Sequence, residues 1–204
     1  MKNCNVILAN GEFPTHAFPL KILNSAKNII CTDGSADKLI DINLKPNLII
    51  GDLDSLKIRP KDYFDKIILD DTQNNNDLEK AIVYFIDNFP NEELYILGAN
   101  GLRDDHNLAN LLLLSKFSKN ISILMISNYS KIFINKGKNT YPSRLLQKIS
   151  ILTMSKISQI TTEGLKYKLN KSRLLPDSLG ISNVAIDDKF TVNSSGNVFI
   201  FMEL

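Results

Sequence analysis

The chain has 204 residues, a formal net charge of +2, and 44% hydrophobic against 23% charged side chains. That length carries one large domain or two small ones with a real core, and the balance of apolar and charged residues excludes disorder and fibre. The near-neutral charge speaks against a broad nucleic-acid surface, and no apolar run approaches the roughly 20 residues of a membrane-crossing helix. The opening segment, Met1-Lys2-Asn3-Cys4-Asn5-Val6-Ile7-Leu8, lacks the long apolar stretch and small-residue cleavage site of a signal peptide and reads as a first strand. The two cysteines, Cys4 and Cys31, each sit inside an apolar run. They are expected to be buried thiols in a reducing cytoplasm.

Through the first part of the chain, short apolar runs alternate with helix-like segments. The runs are residues 6–9, 29–32, 48–50, 67–69, 94–97 and 121–126; the helical segments include 78–89 and 106–117. Ile82, Phe85, Ile86 and Phe89 fall on one helix face by 3.6-residue spacing. Strands alternating with helices predict a mostly parallel sheet covered on both sides. Ligands of such sheets lie beyond the carboxyl ends of the strands, so the loops just after the runs are where chemistry is sought.

Beyond Ser130 the pattern changes to period-two runs, such as 150–154 and 197–201, punctuated by Gly137, Pro142, Gly164, Gly180 and Gly196. Ser194-Ser195-Gly196-Asn197 reads as a tight hairpin turn. The expected architecture is therefore α/β: an N-terminal, mostly parallel α/β domain over residues 1–128 and a C-terminal all-β sandwich over residues 129–204.

The informative loops are acidic. The run 48–50 ends in Gly51-Asp52-Leu53-Asp54-Ser55. If the extended conformation persists, Asp52 and Asp54 point to one side and offer hard oxygen donors to a magnesium ion carrying phosphates. Alone, such an Asp-x-Asp is as readily a turn capping the next element. After 67–69 comes a polar loop into Asp77-Leu78-Glu79-Lys80, where Asp77 suits a helix start and Lys80 lies about one turn on. The pair reads as a carboxylate near metal or nucleophile with a phosphate-contacting lysine, or as a cap with a surface ion pair. After 94–97, Gly98 and Gly101 would let the backbone approach a ligand, Arg103 would grip phosphate, and Asp105 would add a carboxylate. His106 and Asn110 share a helix face, with His106 either orienting a carboxylate or serving packing. Cys31-Thr32-Asp33-Gly34-Ser35 is either a nucleotide-contacting turn or a helix N-cap.

Taken together, Asp33-Gly34-Ser35-Ala36, Gly51-Asp52-Leu53-Asp54-Ser55, Asp77-Leu78-Glu79-Lys80-Ala81 and Gly101-Leu102-Arg103-Asp104-Asp105-His106 resemble, in order and spacing, the motifs of the thiamine pyrophosphokinase family. The segments 162–169 and 181–183 resemble its thiamine-side segments. The resemblance implies transfer of a pyrophosphoryl group from ATP to the hydroxyl of thiamine, giving thiamine diphosphate and AMP, with magnesium. It implies an acidic cluster of Asp52, Asp54, Asp77 and Asp105, with Asp52, Asp54 and Asp77 as metal ligands. Asp33, Gly34, Ser35, Lys80, Gly98, Gly101, Arg103 and His106 would then face ATP. Asp77, Tyr167, Ser182 and Asn183 would hold thiamine, whose flat pyrimidine and cationic thiazolium suit an aromatic neighbour. It also implies a homodimer with active sites at the subunit interface, and no nucleic-acid or membrane partner. Three departures stand out: Asn76 precedes Asp77 where Ser or Thr is frequent, Tyr167 stands where some relatives carry Trp, and the final glycine-rich turn is altered around Asp187-Asp188-Lys189. A magnesium-dependent phosphohydrolase and a non-catalytic thiamine or nucleotide sensor are the competing readings of the same residues.

Overall fold

In a computed structural model, which describes residues 4–54, 56–57, 67–72 and 74–204, the chain is mixed α/β and divides into two units, Met1–Asn128 and Tyr129–Leu204. The first unit turns the Ile- and Leu-rich runs into strands β1 (Cys4–Leu8), β2 (Ala26–Thr32), β3 (Leu48–Gly51), β4 (Ile67–Leu69), β5 (Leu94–Leu97) and β6 (Ile123–Ile126). They lie in the order β6-β5-β1-β2-β3-β4, and every neighbouring pair is parallel. β1, β3 and β5 are buried at every residue, the pattern of a parallel sheet covered on both faces. Among the described residues, four helices connect the strands: α1 (Ala17–Asn24), α2 (Ser35–Ile40), α3 (Asp77–Asn88) and α4 (Asp104–Phe117). None of the helices among the described residues is long and apolar enough to cross a membrane.

Helix α3 shows how local sequence sets the geometry. Asn76 caps it, its side-chain oxygen accepting from the Glu79 amide at 2.9 Å, and Asp77 and Glu79 place negative charge in the first turn, where the helix dipole favours it. Leu78, Ala81, Ile82 and Phe85 form the buried face. Phe85 is fully buried and stacks on Phe89 at 4.9 Å between ring centroids. The chain lays β1 to β4 outward in one direction, then returns to lay β5 and β6 on the other side of β1. Strand order therefore reverses between β1 and β5, the position where α/β sheets open a crevice at their carboxyl ends.

The second unit is antiparallel. It comprises β7 (Ser130–Pro142), β8 (Lys148–Leu152), β9 (Ile157–Glu163), β10 (Ser172–Leu174), β11 (Asn183–Val184) and β12 (Lys189–Glu203). β12 is its spine: it pairs with β7 along its length, with β9 through Thr191–Ser194, and with β8 through Phe199–Met202. The expected hairpin at 194–197 is instead a bulge inside β12. Register against β7 slips between Ser194 and Val198, because the strand is held on both sides and the extra residues have no room to reverse. Buried Asn135 anchors the bulge, donating to Ser194 Oγ at 2.9 Å, while Ser194 Oγ donates to the Gly196 carbonyl at 2.9 Å. Ile149, Ile151, Ile157, Ile160, Phe190, Val192, Val198 and Ile200 form one buried cluster from β8, β9 and β12.

Candidate functional site

A cleft of about 540 Å³ opens in the first unit, lined from the ends of five strands. Asn10 and Gly11 follow β1, Asp33 follows β2, Asp52 and Asp54 follow β3, Thr72 follows β4, and Gly101 and Arg103 follow β5. Asp77 and Lys80 reach it from the first turn of α3, and His106 and Asn110 from α4. The strand-end rule thus gathers Asp33, Asp52 and Asp54 on one rim, beyond the carboxyl ends of β2 and β3.

Carboxylate oxygens of Asp33, Asp52 and Asp54 all lie within 4.8 Å of one another. The sequence reading had Asp52, Asp54 and Asp77 as the metal set and gave Asp33 to the nucleotide. The structure puts Asp33 in the cluster, with Asp77 lining the same cleft outside it. Three carboxylates at this spacing form an all-oxygen donor set that fits a hard divalent cation such as magnesium. The charges of Asp52 and then Asp33 push the Asp54 carboxyl above the ordinary carboxylate range, the response of clustered acids that a cation would relieve.

The acids converge by a route different from strand alternation. Leu53, between Asp52 and Asp54, is left-handed at φ 64°, and the Asp54 amide donates to Asp52 Oδ1 at 3.3 Å. The loop therefore turns, and the turn rather than the pleat brings the carboxylates together. Asp33 is also left-handed, at φ 45°, uncommon for a residue with a Cβ and concentrated at functional sites. Gly51, at φ 151°, makes room: a Cβ there would stand 3.3 Å from Asp33 Cβ and 3.4 Å from Asp77 Cγ.

Asp77 is half-buried, and burial is the main cause holding its carboxyl above the ordinary range, against the opposing pull of Lys80. Lys80 Nζ donates to Asp77 Oδ1 at 3.3 Å and to the Asp70 carbonyl at 2.7 Å. Arg103 and Asp105 pair through one guanidinium edge, Nε and Nη2 donating at 3.1 and 2.6 Å, on exposed side chains. Arg103 lines the cleft and Asp105 does not. The hydrogen bonds from Arg103, with the His106 amide donating at 2.9 Å, draw the Asp105 carboxyl down to about 2.

Several expected contacts are reassigned by burial. Ser35 is completely buried and its hydroxyl donates to the Leu8 carbonyl at 2.7 Å, which fixes α2 to the end of β1. Gly34 precedes it as the N-cap of α2 and is not among the cleft residues. Gly98 is also absent from the cleft wall; its close approach is to β1, where a Cβ would stand 2.5 Å from the Ala9 carbonyl oxygen. Gly101 and His106 do line the cleft. Asn10 and Gly11 went unnoticed in the sequence, although they occupy the same strand-end position after the first run. Asn110, too, has a function beyond sharing a face with His106. Its amide donates to the Ala99 carbonyl at 2.8 Å and accepts from Asn76 Nδ2 at 3.2 Å, joining the start of α3 to the end of β5.

The remaining candidates lie in the second unit. Tyr167 is 60% exposed, with Lys166 Nζ 5.4 Å from its ring centroid. Asn183 is buried and spends its side chain on the backbone of Tyr167, accepting from its amide at 3.0 Å and donating to its carbonyl at 2.7 Å. It braces Tyr167 from within. Ser182 is left-handed at φ 55°, its amide donating to Ser150 Oγ at 3.0 Å.

Comparison with known proteins follows the same division. Residues 20–125 match the family model described as thiamin pyrophosphokinase, catalytic domain. Residues 130–199 match that of thiamin pyrophosphokinase, vitamin B1 binding domain. The chain is similar to thiamine pyrophosphokinase 1 of Oryza sativa subsp. japonica, 28% identical over 225 residues that cover 95% of this chain and 84% of the rice protein. Among solved structures it is similar to a thiamin pyrophosphokinase family protein from Enterococcus faecalis, with TM-score 0.86 and 21% identity over 99% of both chains. It is also similar to thiamin pyrophosphokinase from Candida albicans, with TM-score 0.85 and 20% identity over 99% of this chain and 89% of that one. At these identities the solved structures support the fold, and the two family models carry the family.

Proposed function

Because the chain belongs to the thiamin pyrophosphokinase family, we propose that the acid-lined cleft of its first unit is where the family's reaction takes place. The chain is an enzyme that transfers the pyrophosphoryl group of ATP to the hydroxyl of thiamine, giving thiamine diphosphate and AMP. The observation that carries the site is the convergence of Asp33, Asp52 and Asp54 oxygens within 4.8 Å at the carboxyl ends of β2 and β3 in a parallel sheet. These three residues would hold magnesium, which supplies charge neutralisation on the polyphosphate when bound.

The chain's own groups then divide the work. Arg103, at the cleft mouth with Asp105 fixing its planar fork, binds phosphate oxygens. The thiamine hydroxyl oxygen forms a bond to the β-phosphorus as the bond from that phosphorus to the α-phosphate oxygen breaks, and AMP leaves. The hydroxyl proton goes to Asp77. Asp105 is held ionised at about 2 by Arg103 and accepts protons poorly, whereas burial raises the affinity of Asp77 for a proton. Positioning and electrostatics supply most of the rate, as in phosphoryl transfer generally. In the second unit, whose strands we read as two leaves of a sandwich folded about the β12 bulge, Tyr167 offers thiamine an exposed ring braced by Asn183. Two copies of the chain would associate as a homodimer; Leu108 and Leu112, one turn apart and exposed on α4, are apolar surface that such a partner covers. A cytoplasmic setting agrees with the two buried free thiols.

Incubation with ATP, magnesium and thiamine tests the reading. AMP with thiamine diphosphate is the expected outcome. ATP cleavage that ignores thiamine supports the phosphohydrolase, and binding without product supports the sensor.

A further inference from the structure

Among the described residues, Lys80 is the one cationic side chain of the cleft wall that the proposed chemistry leaves without a task, and its surroundings give it one. Its side chain is 7% exposed, against 64% for Arg103. An ammonium has three protons to donate. Here Nζ donates to the Asp70 carbonyl at 2.7 Å and to Asp77 Oδ1 at 3.3 Å, and lies 3.7 Å from Asp70 Oδ1. The other end of this link is also fixed. Asp70 Oδ1 accepts from the Thr72 amide at 3.0 Å and the Thr72 hydroxyl at 2.6 Å, and the Asp70 amide donates to the Gly51 carbonyl at 3.1 Å. A continuous chain of contacts therefore runs from Gly51 through Asp70 and Lys80 to Asp77.

We infer that Lys80 is a positioning residue: a resident cation that ties Asp77 to the ends of β3 and β4, rather than a phosphate ligand. The inference rests on the cleft being the transfer site. A lysine recruited to phosphate would have to share or give up its bonds to a main-chain carbonyl and to the Asp77 carboxylate at a nearly buried position, where an unpaired group is costly. Arg103 is exposed and needs no such rearrangement. In its position Lys80 also supplies positive charge beside Asp77 in the cleft wall.

The test uses the whole protein with Lys80→Met, which keeps an unbranched side chain one atom shorter and removes its charge, and Lys80→Arg, which can still reach both carboxylates. ATP affinity is measured by titration calorimetry with magnesium and no thiamine, beside steady-state kinetics and thermal unfolding. A misplaced Asp77 predicts a fall in kcat of about a hundredfold for Lys80→Met. ATP affinity should stay within about twofold of wild type, since no phosphate contact is lost. Lys80→Arg should recover most of the loss in kcat. An ATP affinity weakened about tenfold or more, with kcat retained, would make Lys80 a phosphate ligand and overturn the inference. Wild-type values of both quantities in Lys80→Met would overturn it equally. Should Lys80→Met fail to fold, Lys80→Gln decides by the same two readouts: a lower kcat at unchanged ATP affinity supports the tie, and unchanged kcat refutes it. Wild-type protein that forms no thiamine diphosphate would fail the parent reading and take this inference with it.

Discussion

The bridge between α3 and α4 offers the sharpest test of how the cleft is held open in the right shape. Asn110 is buried, at 6% exposure, and makes two side-chain bonds: to the Ala99 carbonyl at 2.8 Å and from Asn76 at 3.2 Å. Replacing it with alanine removes both and leaves the carbonyl of Ala99, itself 3% exposed, without that partner. At about 1 kcal/mol per lost bond and about 1–3 kcal/mol for an unpaired buried group, part of it relieved by water from the cleft, the expected cost is about 2–4 kcal/mol. Asn76→Ala loses the α3 cap, worth about 1 kcal/mol, together with the same bridge. Since the two variants share one hydrogen bond, their effects should fall short of additive by about 0.5–1.5 kcal/mol. Urea unfolding of wild type, both single variants and the double variant closes the cycle. kcat measured on the same four proteins should fall with the first substitution and change little with the second. Strict additivity, with a coupling below about 0.3 kcal/mol, would refute the claim that this bridge joins the two elements.

Asp54→Asn should abolish turnover and leave the fold intact. Its effect on stability has a definite sign: the charges of Asp52 and Asp33 raise the Asp54 carboxyl in the folded chain, so stability present below the ordinary carboxylate value is lost as pH rises through the raised one. At neutral pH without metal, the variant should therefore unfold at a temperature no lower than wild type, and a lower midpoint in differential scanning calorimetry would contradict the clustering. Arg103→Gln should weaken ATP binding about ten- to hundredfold, the value of a charge-assisted bond, as read by titration calorimetry. Ser35→Ala should cost about 1 kcal/mol through the lost bond to Leu8 while KM for ATP stays put; a raised KM would return Ser35 to the nucleotide.

The alternation of Ile- and Leu-rich runs with amphipathic segments made the parallel sheet legible, since each run is long enough for one buried strand and too short for a buried helix. The strand-end rule then brought Asp52, Asp54, Asp77 and Arg103 to one rim, because position after a strand is a property of sequence order. The fine partition of roles was not legible. Whether a carboxylate joins the cluster depends on backbone angles at Asp33 and Leu53 that no residue-type preference announces. Whether Ser35 or Gly98 faces ligand or protein depends on how closely β1 passes, which only the tertiary packing sets. The turn expected at 194–197 failed for a related reason: its residues suit a hairpin locally, but pairing with β7 on one flank and β9 and β8 on the other overrides that preference.

Following the fate of the phosphorus atoms tests the central claim most directly. With ATP labelled separately at the β and γ positions, both labels should appear together in thiamine diphosphate, and AMP should carry neither. Label arriving from the γ position alone, with thiamine monophosphate and ADP as products, would contradict attack on the β-phosphorus in this cleft.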